Sequence, residues 1–195
     1  PVGDIVNGIG CFKCHAGGIN AFQDQFVDYA DEATGISAVE YNAIKEIFPE
    51  EVLAVSEFRG QVSVTLRKNR IRDIARYLHD APDLYFNYLI NVCGVDYLGK
   101  KDKRFEVVYQ LYSIKHRCAL RLKAEVSEED PTIDSVTPVW VGANWHERET
   151  FDLYGIRFIG HPDLRRILLP EDWEGHPLRK DYPVKGPDKE WPEFS

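Results

Sequence analysis

The residues of this chain best suited to bind a haem or a metal are its four cysteines and six histidines. Two of the cysteines stand in Cys11-Phe12-Lys13-Cys14-His15, which spells C-x-x-C-H. At that spacing two thiols reach the two vinyl groups of a haem, and the adjacent imidazole can ligate its iron. The plainer reading is a pair of thiols in a glycine-rich arm, since Gly8, Gly10, Gly17 and Gly18 surround them and no cytochrome-like helical sequence accompanies them. Zinc on the same thiols would need a ligand from elsewhere, and the sequence has no second C-x-x-C and no H-x-x-x-H. Cys93 and Cys118 fall in apolar, strand-like runs and read as packed thiols.

A second group of candidates lies near the C-terminus. Glu147, Glu149 and Asp152 could serve as paired carboxylates for general acid–base work, but with Arg148 among them on a short exposed helix, ion pairing is the stronger expectation. His161, Asp163 and His176 offer metal-ligating atoms. Each of these histidines precedes a proline, Pro162 or Pro177, which biases it to extended loop geometry instead of a ligand pair on one element. Glu147, His161 and His176 together would be the inventory of a stand-alone hydrolase. Arg165, Arg166 and Arg179 are the best binding candidates, because a guanidinium fork holds carboxylates or carbonyls while stacking on aromatic neighbours such as Trp173 and Tyr182. The same forks could instead form salt bridges within the chain and pin the tail to its own domain.

The elements that must position these residues follow from periodicity. Ile19 to Ala33 carries Phe22, Phe26, Val27 and Ala30 at helical spacing. From Ser37, Val39, Ala43, Ile44, Ile47 and Phe48 define an amphipathic helix that Pro49 stops. Val52–Phe58 and Gln61–Leu66 are β-rich runs joined by Arg59-Gly60, the format of a tight hairpin. Asn69 reads as the cap of a second helix with Ile71, Ile74, Ala75 and Leu78 on its apolar stripe. Three strands then run from Tyr85 to Tyr97, Phe105 to Ile114 and Arg117 to Val126, the last two alternating so that each buries one face. Ser127-Glu128-Glu129-Asp130-Pro131 is an acidic turn.

The order α-β-β-α-β-β-β predicts a two-layer α+β domain over residues 37–138, with helices on one side of a mostly antiparallel or mixed sheet. Residues 1–36 form an N-terminal arm. Residues 139–195 add a further helix and an extended, Pro-rich C-terminal arm. In that helix Asn144 and Glu147 have the spacing of a capping box, and Gly155 stands at the stop position. Beyond Gly160, Pro recurs at 162, 170, 177, 183, 187 and 192, and the anchors Ile167, Leu168, Leu169, Trp173, Leu178, Tyr182 and Trp191 favour an arm laid over a surface.

Composition limits the function classes. The 195 residues hold 24 Lys and Arg against 32 Asp and Glu, a net charge of −8, so the basic footprint of a nucleic-acid binder is missing. Mean hydropathy is −0.37, and charged residues interrupt every apolar run before the roughly 18 residues that a spanning helix needs. Residues 1–7 lack the basic and apolar regions of a secretory signal, which reads as intracellular. The sequence has no Met, so an initiator has been removed or leading residues are absent.

Trp145-His146-Glu147-Arg148-Glu149-Thr150-Phe151-Asp152-Leu153-Tyr154-Gly155, Gly160-His161-Pro162-Asp163-Leu164-Arg165-Arg166-Ile167 and His176-Pro177-Leu178-Arg179-Lys180-Asp181-Tyr182-Pro183 carry E-R-E-x-x-D, G-H-P-D-L-R-R-I and H-P-L-R-K-D-Y-P. In order and spacing this succession resembles the NuoC family, the 30-kDa-type component of respiratory complex I, NADH:quinone oxidoreductase. Phe86-Asn87-Tyr88-Leu89 and Gly94-Val95-Asp96-Tyr97 extend the resemblance upstream, over roughly residues 40 to 184. The first 35 residues lie outside it.

The resemblance implies a peripheral-arm subunit without flavin, cluster or haem of its own, packed against subunits D and B. FMN, iron–sulfur clusters, NADH and quinone would belong to other subunits of a proton-translocating assembly. Its place would be the cytoplasmic side of the cell membrane or, in a eukaryote, the mitochondrial matrix side, with membrane contact only through the complex. Glu147, Arg148, Glu149, Asp152, His161, Pro162, Asp163, Arg165, Arg166, His176, Arg179, Asp181 and Tyr182 would be signature and interface residues. Related subunits serve complexes fed by ferredoxin, reduced deazaflavin or hydrogen, and the sequence alone does not choose among donors.

Overall fold

The structure, a computed structural model, describes residues 38–183. Cys11, Cys14, His15, the helix expected over residues 19–33 and its neighbour Ser37, and Trp191 lie outside the described residues. Residue contacts divide the chain into Pro1–Gly35 and Ile36–Ser195, and all that follows concerns the second unit.

Helix α1 (Ala38–Ile47) leads into the hairpin of β1 (Val52–Phe58) and β2 (Gln61–Arg67). Arg59 and Gly60 both take positive φ, 49° and 73°, the left-handed pair that a two-residue hairpin turn needs. A 3₁₀ turn (Lys68–Arg70) precedes α2 (Ile71–Asp80), so Asn69 does not cap that helix; Arg70 stands at the cap and makes no side-chain capping bond. The apolar stripe is the expected one, with Ile71, Ile74, Ala75 and Leu78 buried.

Strands β3 (Tyr88–Asp96), β4 (Phe105–Ser113) and β5 (Cys118–Val126) complete a five-stranded sheet ordered β1-β2-β5-β4-β3. All pairings are antiparallel except β2 with β5, which is parallel. Strand β3 starts three residues later than expected. Tyr85 has φ 43°, which breaks the extended run, and Phe86 N–H donates to Leu78 O at 2.8 Å, tying that stretch to the end of α2.

The register puts Val62, Val64 and Leu66 of β2 in line with Leu120, Leu122 and Ala124 of β5 and with Val107, Tyr109 and Leu111 of β4. These residues form one buried cluster with Ile44 of α1, the stripe of α2, Leu89 and Val92 of β3 and, from the next helix, Ala143. A two-layer α+β arrangement results. Strand β4 is buried from Phe105 through Tyr109, so Glu106 and Val108 are covered as well as the alternating set; a central strand is flanked on both sides.

Two short strands, β6 (Thr132–Asp134) and β7 (Arg157–Ile159), pair in parallel on either side of α3 (Ala143–Tyr154). At three residues each they are too short to carry a readable alternation. Among the described residues no helix is long and apolar enough to cross a membrane.

Helix α3 lies against β3, and the Tyr154 ring packs over Gly94. A Cβ at Gly94 would stand 2.7 Å from Tyr154 Cδ2 and 3.0 Å from its Cγ, at the rigid base of the ring. Gly94→Ala should therefore lower stability by about 1–3 kcal/mol, the usual cost of overpacking. Urea denaturation measures it, and a Tyr154→Leu background should recover part of the loss. An unchanged midpoint would contradict this packing.

Candidate functional site

Helix α3 is the post to which the C-terminal segment is tied. Its cap is Gly142 and its first residue Ala143, so Asn144 lies inside the helix, and no capping box forms with Glu147. Glu147 instead points inward and is fully buried: Oε2 accepts from Ser135 Oγ at 2.6 Å and Oε1 from Val136 N–H at 2.7 Å. Local spacing fitted a cap, but the tertiary contact to the segment after β6 takes the carboxylate. The expected exposed row of three acids is likewise absent, because Asp152 is buried and only Glu149 is exposed. Glu147 and Asp152 face different segments, which removes the paired-carboxylate reading.

Asp152 organises the segment that follows β7, here called the strap. One oxygen accepts from Arg166 Nη1 at 2.6 Å, and the other accepts from the backbone N–H groups of Ile167, Leu168 and Leu169 at 2.8–3.0 Å. Burial alone would raise this carboxyl, but the Leu169 N–H, the Arg166 guanidinium and the two neighbouring N–H groups hold it below the usual carboxylate range. Arg166 also donates to the carbonyls of Trp173 and Gly175 at 2.9 and 3.1 Å, folding the strap around itself. Arg148 donates to the carbonyls of Arg165 and Arg166.

The strap then closes the C-terminal end of α3. Helices end with carbonyls that lack intrahelical donors. Here Phe151 O accepts from Gly155 N–H, Asp152 O from His176 Nδ1 at 2.8 Å, Leu153 O from Leu178 N–H at 3.1 Å and Tyr154 O from Arg179 Nε at 2.7 Å. Gly155 must be glycine on two counts. Its φ is 73°, and a Cβ would fall 2.5 Å from His176 Nε2 and 2.7 Å from Arg179 Nη2. Burial, with Arg179 and Arg166 close by, pushes the His176 imidazole below its ordinary value, in keeping with a neutral ring that donates from Nδ1.

A buried arginine fastens the far end. Arg104, only 5% exposed, makes two bonds to Asp96 at 2.9 and 3.1 Å, two to Asp181 at 2.5 and 3.0 Å, and one to Glu128. Lys180 N–H donates to Asp96 Oδ2 at 2.9 Å. The bonds from Arg104, Lys180 and Leu98 keep Asp96 below the carboxylate range despite burial, and the three carboxylates raise Arg104 further. The Arg104 and Arg179 guanidinium groups both pack on the Phe105 ring, 4.9 and 5.1 Å from its centroid. Arg179 thus stacks on Phe105, where the sequence pointed to Tyr182; the latter donates from its hydroxyl to Glu174 O at 3.2 Å.

His161 and His176 are not brought together. His161 Nε2 donates to Asn144 O at the start of α3 and its Nδ1 accepts from Asp163 N–H, whereas His176 sits at the helix end. Each ties its own stretch of chain to α3. Among the described residues no group of three or more His, Cys, Asp or Glu could hold a metal ion.

Arg165 differs from the other arginines: its side chain is 64% exposed, with an exposed ion pair to Asp163 at 3.0 Å. Exposed apolar residues in the same part of the chain are Val141 just before α3, Trp145 on its first turn and Leu168 on the strap. Sequence reasoning did not single out Trp145, Asp96, Arg104 or Glu128 for this site. A signal existed for Asp96, which shares the buried face of β3 with Leu89, Val92 and Gly94, where an acid needs a partner.

Comparison with known proteins places this architecture among relatives. The family described as respiratory-chain NADH dehydrogenase, 30 Kd subunit, matches residues 64–188. The C subunit of NADH-quinone oxidoreductase from Roseiflexus sp. (strain RS-1) is 56% identical over 141 residues, covering 72% of this chain and 80% of the relative. The protein of the same description from Geobacter sulfurreducens is 54% identical over 147 residues, 75% of this chain and 90% of the relative. Among solved structures, Nqo5 of the trypsin-resistant fragment (1-134) aligns with TM-score 0.55 at 33% identity, over 66% of this chain and 100% of that one. A chain of the membrane-bound sulfane sulfur reductase, an archaeal respiratory membrane complex, shares the fold with TM-score 0.61 at 21% identity, over 76% of this chain and 88% of that one.

Proposed function

The chain belongs to the 30 Kd subunit family of respiratory-chain NADH dehydrogenase, and from that premise we propose that it works as the C subunit of an NADH-quinone oxidoreductase, as a scaffold holding no electron carrier itself. The observation that carries the scaffold reading is how the signature side chains are engaged. Arg148, Asp152, Arg166, His176, Arg179 and Asp181 direct their hydrogen bonds inward to this chain and so fix the course of the strap, while Glu147 ties α3 to the segment after β6. NADH oxidation, FMN, the iron–sulfur clusters and quinone reduction belong to partner subunits in this reading, and proton translocation to the assembly. The names of the relatives favour NADH over ferredoxin, deazaflavin or hydrogen as the donor.

The strap's outer surface, within the segment 139–195, is the docking surface, and subunits D and B are its partners. Arg165 supplies an exposed fork, and Trp145 and Leu168 supply exposed apolar anchors, of the kinds that protein interfaces favour. The complex holds the chain at the cytoplasmic face of the membrane, or at the matrix face in a mitochondrion.

Two tests follow. Membranes from cells lacking this chain should lose NADH-driven quinone reduction and regain it on re-expression; full activity without the chain would overturn the proposal. Arg165→Ala should leave the fold intact, because only an exposed pair is removed, while weakening assembly by about 2–5 kcal/mol if the fork is buried at the interface. Quantitative co-purification measures it, and a loss below about 1 kcal/mol would mark Arg165 as a rim residue.

A further inference from the structure

Glu147 has a feature that neither scaffolding nor docking needs. Its carboxylate is fully buried and has no ion pair among the described residues, yet it stands at the end of a row of hydroxyls. Ser135 Oγ donates to Oε2 at 2.6 Å, and Thr137 Oγ1 lies 2.7 Å from Ser135 Oγ. Ser135 is buried and Thr137 half-buried, so the row runs from the interior toward solvent.

We propose that Glu147 is a proton-binding clasp between α3 and the segment after β6, loaded from solvent through the hydroxyls of Thr137 and Ser135. A proton added at Thr137 Oγ1 displaces that residue's own hydroxyl hydrogen to Ser135 Oγ, whose hydrogen passes to Glu147 Oε2. Both hydroxyls finish neutral with their direction reversed. The carboxylate has gained one proton, and no electron has moved. Neutral Glu147 then donates to Ser135 Oγ, and its carbonyl oxygen still accepts from Val136 N–H.

The groups facing this site do not fix its charge. From α2, Arg72 directs its guanidinium to Ser135 O at 3.0 Å, Ile159 O at 2.7 Å and Asp134 of β6 at 3.5 Å. From β4, Tyr109 contributes a buried hydroxyl without a hydrogen-bond partner among the described residues. On α3 itself, Arg148 is turned to the strap and Glu149 is exposed. Burial, opposed by the bonds from Ser135 and Val136 and by Arg72, pushes Glu147 up to about 7. A carboxyl raised in the folded state adds stability that is fully present below its unfolded value and is lost as pH rises through the folded one. The clasp therefore holds best in mild acid and loosens through neutrality.

Carbon-13 NMR of the full chain, with Glu147→Gln to assign the carboxyl signal, tests the clasp. A midpoint near 7 is expected. In thermal denaturation, wild type should lose stability from pH 5 to pH 8 while Glu147→Gln loses less. Thr137→Val should keep the midpoint and slow proton exchange, broadening or splitting the averaged signal. A Glu147 signal that titrates below pH 5, or does not titrate between pH 5 and 8, overturns the clasp. Unchanged exchange in Thr137→Val overturns the loading route.

Discussion

Replacing Asp152 by Asn should release the strap from α3 and lower the stability of the chain by about 3–5 kcal/mol, the range for breaking one side of a buried pair. Asp152 is fully buried, and both of its oxygens are saturated by Arg166 and three backbone N–H groups. An amide supplies one acceptor where the site needs two, and its NH₂ would face either three N–H groups or a guanidinium. Chemical denaturation gives the loss, and limited proteolysis should show new cleavage between residues 164 and 182. Because the folded-state carboxyl is depressed, its contribution is present above the unfolded carboxylate value and is lost as pH falls through the folded one. The wild-type strap should accordingly become protease-sensitive in acid, below the ordinary carboxylate range. A variant with wild-type stability and cleavage pattern would show that the strap is held by its apolar anchors alone.

Arg104→Met carries a comparable expectation for a different reason. The Asp96 side chain is 1% exposed and would keep its charge without a cation, whereas Glu128 and Asp181, each 52% exposed, would turn to water. The loss is about 3–5 kcal/mol and arises almost wholly at Asp96. Asp96→Asn on the Arg104→Met background should restore most of it, so the two substitutions should be strongly non-additive in a double-mutant cycle. Arg104→Lys should not substitute, since one ammonium cannot make paired bonds to two carboxylates. Equal losses in the single and double variants would place the cost outside the Arg104–Asp96 pair.

What the sequence made legible was what short-range periodicity determines. Helix α2 was visible in Ile71, Ile74, Ala75 and Leu78, and the hairpin in Arg59-Gly60, because both patterns are local. The parallel pairing of β2 with β5 joins residues about sixty positions apart, and no window of sequence contains it. Strands β6 and β7 are three residues each, below the length at which alternation means anything. Asn144 and Glu147 show the reverse failure. Their spacing was right for a cap, and the fold turned Glu147 into the interior toward Ser135.

The site was legible as a set of residues and not as a set of roles. Asp152, Arg166, His176 and Arg179 were singled out for chemistry or for partners, and in the structure they pin the strap to α3. Sequence offered both readings for the arginines, since a guanidinium fork serves an internal carbonyl as well as an external carboxylate. Only the geometry separates Arg166, folded inward, from Arg165, turned outward.

A scaffold within an NADH-quinone oxidoreductase should bring the whole enzyme with it when the tagged full chain is purified from detergent-solubilised membranes. The eluate is assayed for NADH-driven quinone reduction, with its absorption spectrum and polypeptide composition read on the same sample. The expected result is an active, multi-subunit assembly with flavin and iron–sulfur absorbance, while the chain produced alone is colourless and inactive. Recovery of the chain by itself, or a chromophore bound to it in isolation, would overturn the scaffold role.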